Sequence, residues 1–88
     1  MDIDFSSLEA KLALSEWPAV YLFKFIVPNE SENVALVTAL FDDSSDIVMH
    51  PSKNGKYMSV SAKEMMLDVD SIINKYKQAS TIKGIISL

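Results

Sequence analysis

His50 is the only histidine in the chain of 88 residues, so the sequence offers one imidazole for proton transfer or metal ligation. A general base needs an oriented partner and a substrate within reach, and a metal needs several ligands at suitable spacing. Asp46 is near in sequence and shares a side with His50 only if the strand between them is regular. His50 therefore reads as a hairpin side chain, partly exposed on an edge strand. Asp42, Asp43 and Asp46 offer oxygens to a hard cation, but the ligand set is small and lacks a glycine-marked calcium loop; a solvated acidic loop is the reading. Lys53-Asn54-Gly55-Lys56 is basic and carries a glycine, yet it lacks the spaced glycines and following helix of a phosphate loop. It reads as a turn flanked by solubilising lysines. Ser52, Ser59 and Ser61 have no activating base in sequence view. No catalytic, cofactor-binding or metal-binding residues are assigned, and the chain is expected not to be an enzyme.

Composition points the same way. There is no cysteine, which excludes disulfides, thiolate metal sites and a cysteine nucleophile. All cations are lysines, the formal charge is −4, and the bidentate guanidinium fork for phosphate or carboxylate is missing. Binding to a phosphate backbone is disfavoured. The N-terminus Met1-Asp2-Ile3-Asp4-Phe5 is acidic and lacks the order of a secretion signal. No apolar run approaches the roughly 20 residues that span a bilayer, so a soluble cytoplasmic protein without membrane association is expected. The hydrophobic fraction of 49% is high for a single small domain and suggests apolar surface covered by a partner.

The elements that must position these residues centre on a hairpin. Asp46 to Lys53 and Lys56 to about Lys63 read as two arms joined by Asn54-Gly55, a pair suited to a tight primed turn. Pro51 cannot donate a ladder hydrogen bond, which places the first arm at a sheet edge. In the second arm, Met58, Val60 and Ala62 alternate with Tyr57, Ser59, Ser61 and Lys63, the former set facing inward. Ala19 to Val27 is a central strand, with Tyr21, Phe23, Phe25 and Val27 on one face and Val20, Leu22, Lys24 and Ile26 on the other. A helix from about Glu30 to Phe41, capped by Asn29 or Ser31, offers the stripe Val34, Val37, Leu40 and Phe41. A second begins at the Asp68 cap, with Val69, Ile72, Ile73 and Tyr76 at helical spacing. Thr81 to Leu88 is a last strand. Residues 1–16 form a leader with a short helix, capped by Ser6 or Ser7, that exists only if Phe5, Leu8 and Leu12 dock on the body. Trp17 either anchors this leader or offers a partner contact, the anchor being favoured. Met58, Met65 and Met66 read as flexible core filling.

The order β, α, β, β, α, β over residues 17–88, with right-handed crossovers and a shared face for both helices, predicts a ferredoxin-like α+β sandwich. Its antiparallel sheet runs in the order 4-1-3-2, with two helices on one face. The opposite face then carries Val20, Leu22, Lys24, Ile26, Tyr57, Ser59, Ser61 and Lys63. That face is the expected place for a protein partner, a second copy, a small-molecule effector or the leader. An edge such as Thr81 to Leu88 could pair with its own copy. The alternative is single-stranded RNA binding, with Tyr57 as a stacking platform; the acidic charge and aliphatic neighbouring strand argue against it.

The assembled residues resemble the YbeD-like family of small bacterial proteins, which has no established biochemical activity. Trp17-Pro18, Phe23-Lys24, Pro51-Ser52 with Gly55, and Tyr57-x-Ser59-Val60-Ser61 carry the resemblance, with Tyr76 in the second helix and an apolar C-terminus. Val27 stands where the family usually has glycine, and the first helix is shorter by about one turn. The resemblance implies an ACT-like regulatory fold, a small metabolite held between subunits and, for some members, regulation in the lipoate pathway. The expected role is a non-catalytic regulatory or interaction domain.

Overall fold

A computed structural model describes residues 5–42 and 45–88. The reading of Met1 to Asp4, and of Asp43 and Ser44 in the acidic loop, lies outside the described residues. Three helices and four strands follow in the order α1 (Ser6–Leu12), β1 (Ala19–Pro28), α2 (Ser31–Thr38), β2 (Asp46–Pro51), β3 (Tyr57–Met66), α3 (Val69–Ala79) and β4 (Ile86–Ser87). The strands form one sheet in the order β2-β3-β1-β4, which from the other edge reads β4-β1-β3-β2. All pairings are antiparallel. The result is a small α+β domain with a four-stranded antiparallel sheet, compatible with a ferredoxin-like fold. Among the described residues no helix is long and apolar enough to cross a membrane.

β1 and β3 pair along their whole lengths, from Ala19 opposite Met66 to Pro28 opposite Tyr57. On one face of this pair Phe23, Phe25, Val27, Val60 and Ala62 are apolar and fully buried, with Glu64 as the charged residue of that row. Helix residues Val37, Ile72, Ile73 and Tyr76 close over them in a single core. Phe23 stands at its centre, edge-on to Tyr21 at 4.7 Å and against Tyr76 and Phe41 at 5.4 and 5.5 Å. Such tilted pairs add stabilisation beyond the area they bury.

The ends of the elements depart from the sequence pattern for identifiable reasons. The hairpin is not a two-residue primed turn. Ser52 N–H pairs with the Tyr57 carbonyl at 2.8 Å, and Gly55 N–H returns to the Ser52 carbonyl at 2.9 Å. A type I′ turn needs positive φ at both central residues, whereas here Gly55 alone has it, at +76°. Asn54 instead uses its side chain: Oδ1 accepts from Lys56 N–H and from the Ser52 hydroxyl, each at 3.1 Å. Asn29 does not cap α2, because its amide donates to the Gly55 carbonyl at 3.0 Å and pins the loop to the end of β1. Nor does Ser31 cap it, being already helical; the N-cap position is Glu30, without a side-chain bond. α1 begins at Ser6 behind Phe5, so neither Ser6 nor Ser7 is its cap. Asp68 does cap α3, accepting from Ser71 N–H at 2.8 Å. The Ser71 hydroxyl first, and that backbone bond second, hold its carboxyl below the usual range.

The last strand is Ile86–Ser87, not Thr81 to Leu88. After α3 the chain turns through Ile82, which is buried, and Gly84, whose φ is +76°. A Cβ on Gly84 would lie 2.9 Å from Pro28 Cγ, whereas one on Gly55 would meet nothing within 4 Å. Both glycines are conformationally required, but only Gly84 is also sterically enclosed. Gly55→Ala is therefore expected to cost about 1–2 kcal/mol for the left-handed backbone alone, and Gly84→Ala measurably more. Urea unfolding of the two variants checks this; equal losses would show that the Pro28 contact relaxes without cost.

Candidate functional site

The β1–β3 register puts a second row of side chains on the far side from the helices. Val20 lies beside Met65, Leu22 beside Lys63, Lys24 beside Ser61 and Ile26 beside Ser59. β2 adds Asp46 beside Lys63, Val48 beside Ser61 and His50 beside Ser59, and β4 adds Ile86 beside Ile26. All eight residues assigned to this face from the sequence are brought together there: Val20, Leu22, Lys24, Ile26, Tyr57, Ser59, Ser61 and Lys63. Val48, Met65 and Ile86, not assigned there from the sequence, join them; alternation along each strand is the signal that would have found the first two. Met65 is 59% exposed and is not core filling, unlike buried Met66. Val20, Leu22, Val48, Tyr57 and Ile86 are also exposed, between 42% and 61%.

The described part of the leader, from Phe5 onward, does not cover this face. α1 packs on α3, on the helix side, with Leu12 buried and Phe5 6.3 Å from the Tyr76 ring. Trp17 is its anchor: the indole N–H donates to the Leu12 carbonyl at 2.9 Å, and the ring lies 6.4 Å from Tyr21.

At one end of the open face is an apolar groove of about 400 Å3, lined by Ile26, Ile86, Pro51 and Tyr57, with His50, Ser52 and Ser59 supplying polar atoms. The hairpin motif residues Pro51, Ser52, Tyr57 and Ser59 thus share one site. Gly55 sits in the loop above them, and Val60 points into the core instead. Ser52 is occupied by its loop, since its hydroxyl also accepts from Tyr57 N–H at 3.1 Å. Asp46 and His50 do share a face, because β2 is regular between them. Four strand steps separate them by about 13 Å, too far for a general-base pair. Among the described residues, no group of three or more histidines and acids is arranged to hold a metal.

The charged chemistry missed from the sequence lies on the other side. Glu64 of β3 and Lys75 of α3 form an ion pair at 3.5 Å, each 15% exposed. Lys75 also donates to the Leu40 carbonyl just past α2 and lies 5.1 Å above the Phe41 ring. Nearby, the Tyr76 and Tyr21 hydroxyls share a hydrogen bond at 2.9 Å. Burial first, and that bond second, push the Tyr76 hydroxyl well above the ordinary phenol range.

Comparison with family models, with curated proteins and with solved structures finds no match to this chain. The class of molecule is accordingly defined by its own geometry: an α+β domain with a layered core and an exposed sheet face.

Tyr76 gives a measurable consequence of the core geometry. Its folded-state proton is held more tightly than in the unfolded chain, so this contribution is complete below about pH 10 and is lost as pH rises above it. Stability measured by denaturant at increasing alkaline pH is expected to fall, and Tyr76→Phe to flatten that fall. An unchanged slope in the variant would remove Tyr76 as its source.

Proposed function

We propose that the chain is a non-catalytic regulatory or interaction domain that works through its open sheet face. The reading is carried by one observation. Six exposed apolar side chains, Val20, Leu22, Val48, Tyr57, Met65 and Ile86, stand on a sheet face that no helix covers among the described residues. Apolar side chains exposed in this number on one face mark association sites on small domains. The groove beside Tyr57 suits a small effector with an apolar body, and the wider face suits a protein partner or a second copy. In its finer form the fold is a ferredoxin-like βαββαβ unit of ACT-like character with an added leading helix. By its hairpin motif it is a YbeD-like protein, and by that resemblance a regulator in the lipoate pathway. The alternative, an RNA-stacking platform, draws on the exposure of Tyr57 on β3. It stands behind the first reading because, beside the His50 imidazole, Tyr57 is the only aromatic ring that this face presents among the described residues.

A metabolite panel followed by thermal shift, together with sedimentation at micromolar concentration, tests the proposal. Stabilisation by a ligand or concentration-dependent association is expected, and Leu22→Lys, which sets a charge in the middle of the face, is expected to weaken whatever binds on the face itself. A monomer that no metabolite stabilises and that Leu22→Lys leaves unchanged counts the reading out. Oligonucleotide binding at low salt that Tyr57→Ala abolishes would favour the RNA alternative instead.

A further inference from the structure

β2 is an edge strand, and its outward backbone groups belong to Ile47 and Met49. The bond from Ser52 N–H to the Tyr57 carbonyl fixes this alternation. Ser52, His50, Val48 and Asp46 turn their backbone groups towards β3, and the residues between them turn theirs away. Pro51 faces outward too, but it has no N–H to offer. Among the described residues, no backbone hydrogen bond reaches the outward groups of Ile47 and Met49. The other edge strand, β4, has two residues and cannot serve as a pairing template of any length.

We propose that a second copy of the chain docks on this edge, its β2 running antiparallel across a two-fold axis at Val48, so that the two sheets join into one. The inference rests on the reading of the chain as an interaction domain and names the partner and the edge. The register follows from chemistry. Hydrogen bonding requires outward-facing residues to meet outward-facing residues, which leaves two-fold centres at Ile47, Val48 or Met49. A centre at Met49 sets Pro51, which lacks a donor, against Ile47. A centre at Ile47 sets the Asp46 carboxylate against Val48. A centre at Val48 matches the pairs from Asp46 to His50: Val48 meets its copy, Ile47 and Met49 exchange both backbone hydrogen bonds, Asp46 lies opposite His50, and Pro51 falls opposite Ser45, beyond the end of β2.

The side chains agree with that register. Asp46, Val48 and His50 share the open face, and all three are exposed, as is Met49 on the other side. Pairs of the non-hydrogen-bonded kind bring side chains closest, with Cα atoms about 4.5 Å apart, and Asp46 and His50 form such a pair twice across the axis. The groups that face them from β3 are Lys63 beside Asp46 and Ser59 beside His50, with the Tyr57 phenol in the same groove. Within one chain Asp46 is too distant to orient the imidazole. Across the axis, Asp46 of the second copy meets it at the rim of the groove, so each groove gains a carboxylate that its own chain does not bring there.

Sedimentation of the full chain over a concentration series tests this, with circular dichroism to confirm that each variant is folded. The wild type is expected to dimerise. His50→Asp, which sets carboxylate against carboxylate, is expected to weaken the dimer about tenfold, and Asp46→His combined with His50→Asp to restore it. Met49→Pro removes an outward N–H that β3 does not use, so it is expected to fold and to lose the dimer. Leu22→Lys, on the face and away from this edge, is expected to leave the dimer intact. A dimer lost in Leu22→Lys but kept in Met49→Pro and His50→Asp overturns the edge proposal and retains the open-face reading. A wild-type monomer at every concentration overturns the edge proposal, while the open-face reading is then decided separately by ligand stabilisation and its loss in Leu22→Lys.

Discussion

The full-length antiparallel pairing of β1 with β3 is the constraint on which the rest of the structure depends. Side chains alternate strictly along a strand, so one register decides for both strands which residues are dry and which are wet. Phe23 opposite Ala62 and Phe25 opposite Val60 set large against small on one side, and these four side chains are fully buried. A slip of one residue would exchange Phe23 and Phe25 for Leu22 and Lys24, burying an ammonium without a partner. The register therefore fixes the open face as firmly as it fixes the core, although no water-exclusion acts on that face directly.

The helix layer is completed by interactions that convert loose ends into buried ones. Lys75 is the main example. Its ammonium takes up the Leu40 carbonyl past the C-terminal end of α2, where the helix dipole favours a cation, and faces Glu64 and the Phe41 ring as well. One side chain thus joins α2, α3 and β3. Removing a partner from such a half-buried pair leaves the remaining charge poorly solvated, which is costlier than the pair itself is stabilising. At the other end of the layer, α1 is too short to be helical alone. It is held by burial of Leu12 and by the Trp17 indole, and these place the leader over α3. From Phe5 onward the leader thereby finishes the helix side, away from the opposite sheet face.

How far the sequence foretold this differs from element to element. Alternation of period two was enough to assign the inward and outward rows of β1 and β3, and the Asp68 cap and apolar spacing were enough for α3. These are local signals, and the local and tertiary preferences agree. The ends were less legible because tertiary bonds decide them. Asn29 looks like a helix cap, but the hairpin loop competes successfully for its amide. Asn54-Gly55 looks like a primed turn, but Ser52 and Asn54 side chains stabilise a wider loop. Thr81 to Leu88 looks like a strand because Ile82, Ile85 and Ile86 are β-branched, while Gly84 was the sign of a turn within it. The open face was read from parity alone, but the groove was not: it needs Ile86 brought against Ile26, and only the path around Gly84 does that. The Glu64–Lys75 pair was likewise hidden, since nothing in the spacing of the two residues brings them together.

The energetics of the open face indicate what kind of occupant it fits. Full burial of an aliphatic side chain contributes about 1.5–3 kcal/mol, and those on this face are already about half covered, leaving roughly 1 kcal/mol each. Association costs an estimated 4–15 kcal/mol in lost freedom before any contact is counted. One or two of these side chains cannot offset that, so an occupant of the face must engage several at once. The groove presents Ile26, Tyr57 and Ile86 to a small molecule, and such a ligand needs further binding from polar groups. His50 and Ser59 line the groove, whose surface is almost wholly apolar. The same arithmetic favours strand pairing at an edge. There the main chain contributes directional hydrogen bonds in addition to apolar contact, and the cost of ordering is low because β2 is already extended. The face and the edge are thus complementary uses of one sheet, and His50 stands where the two meet.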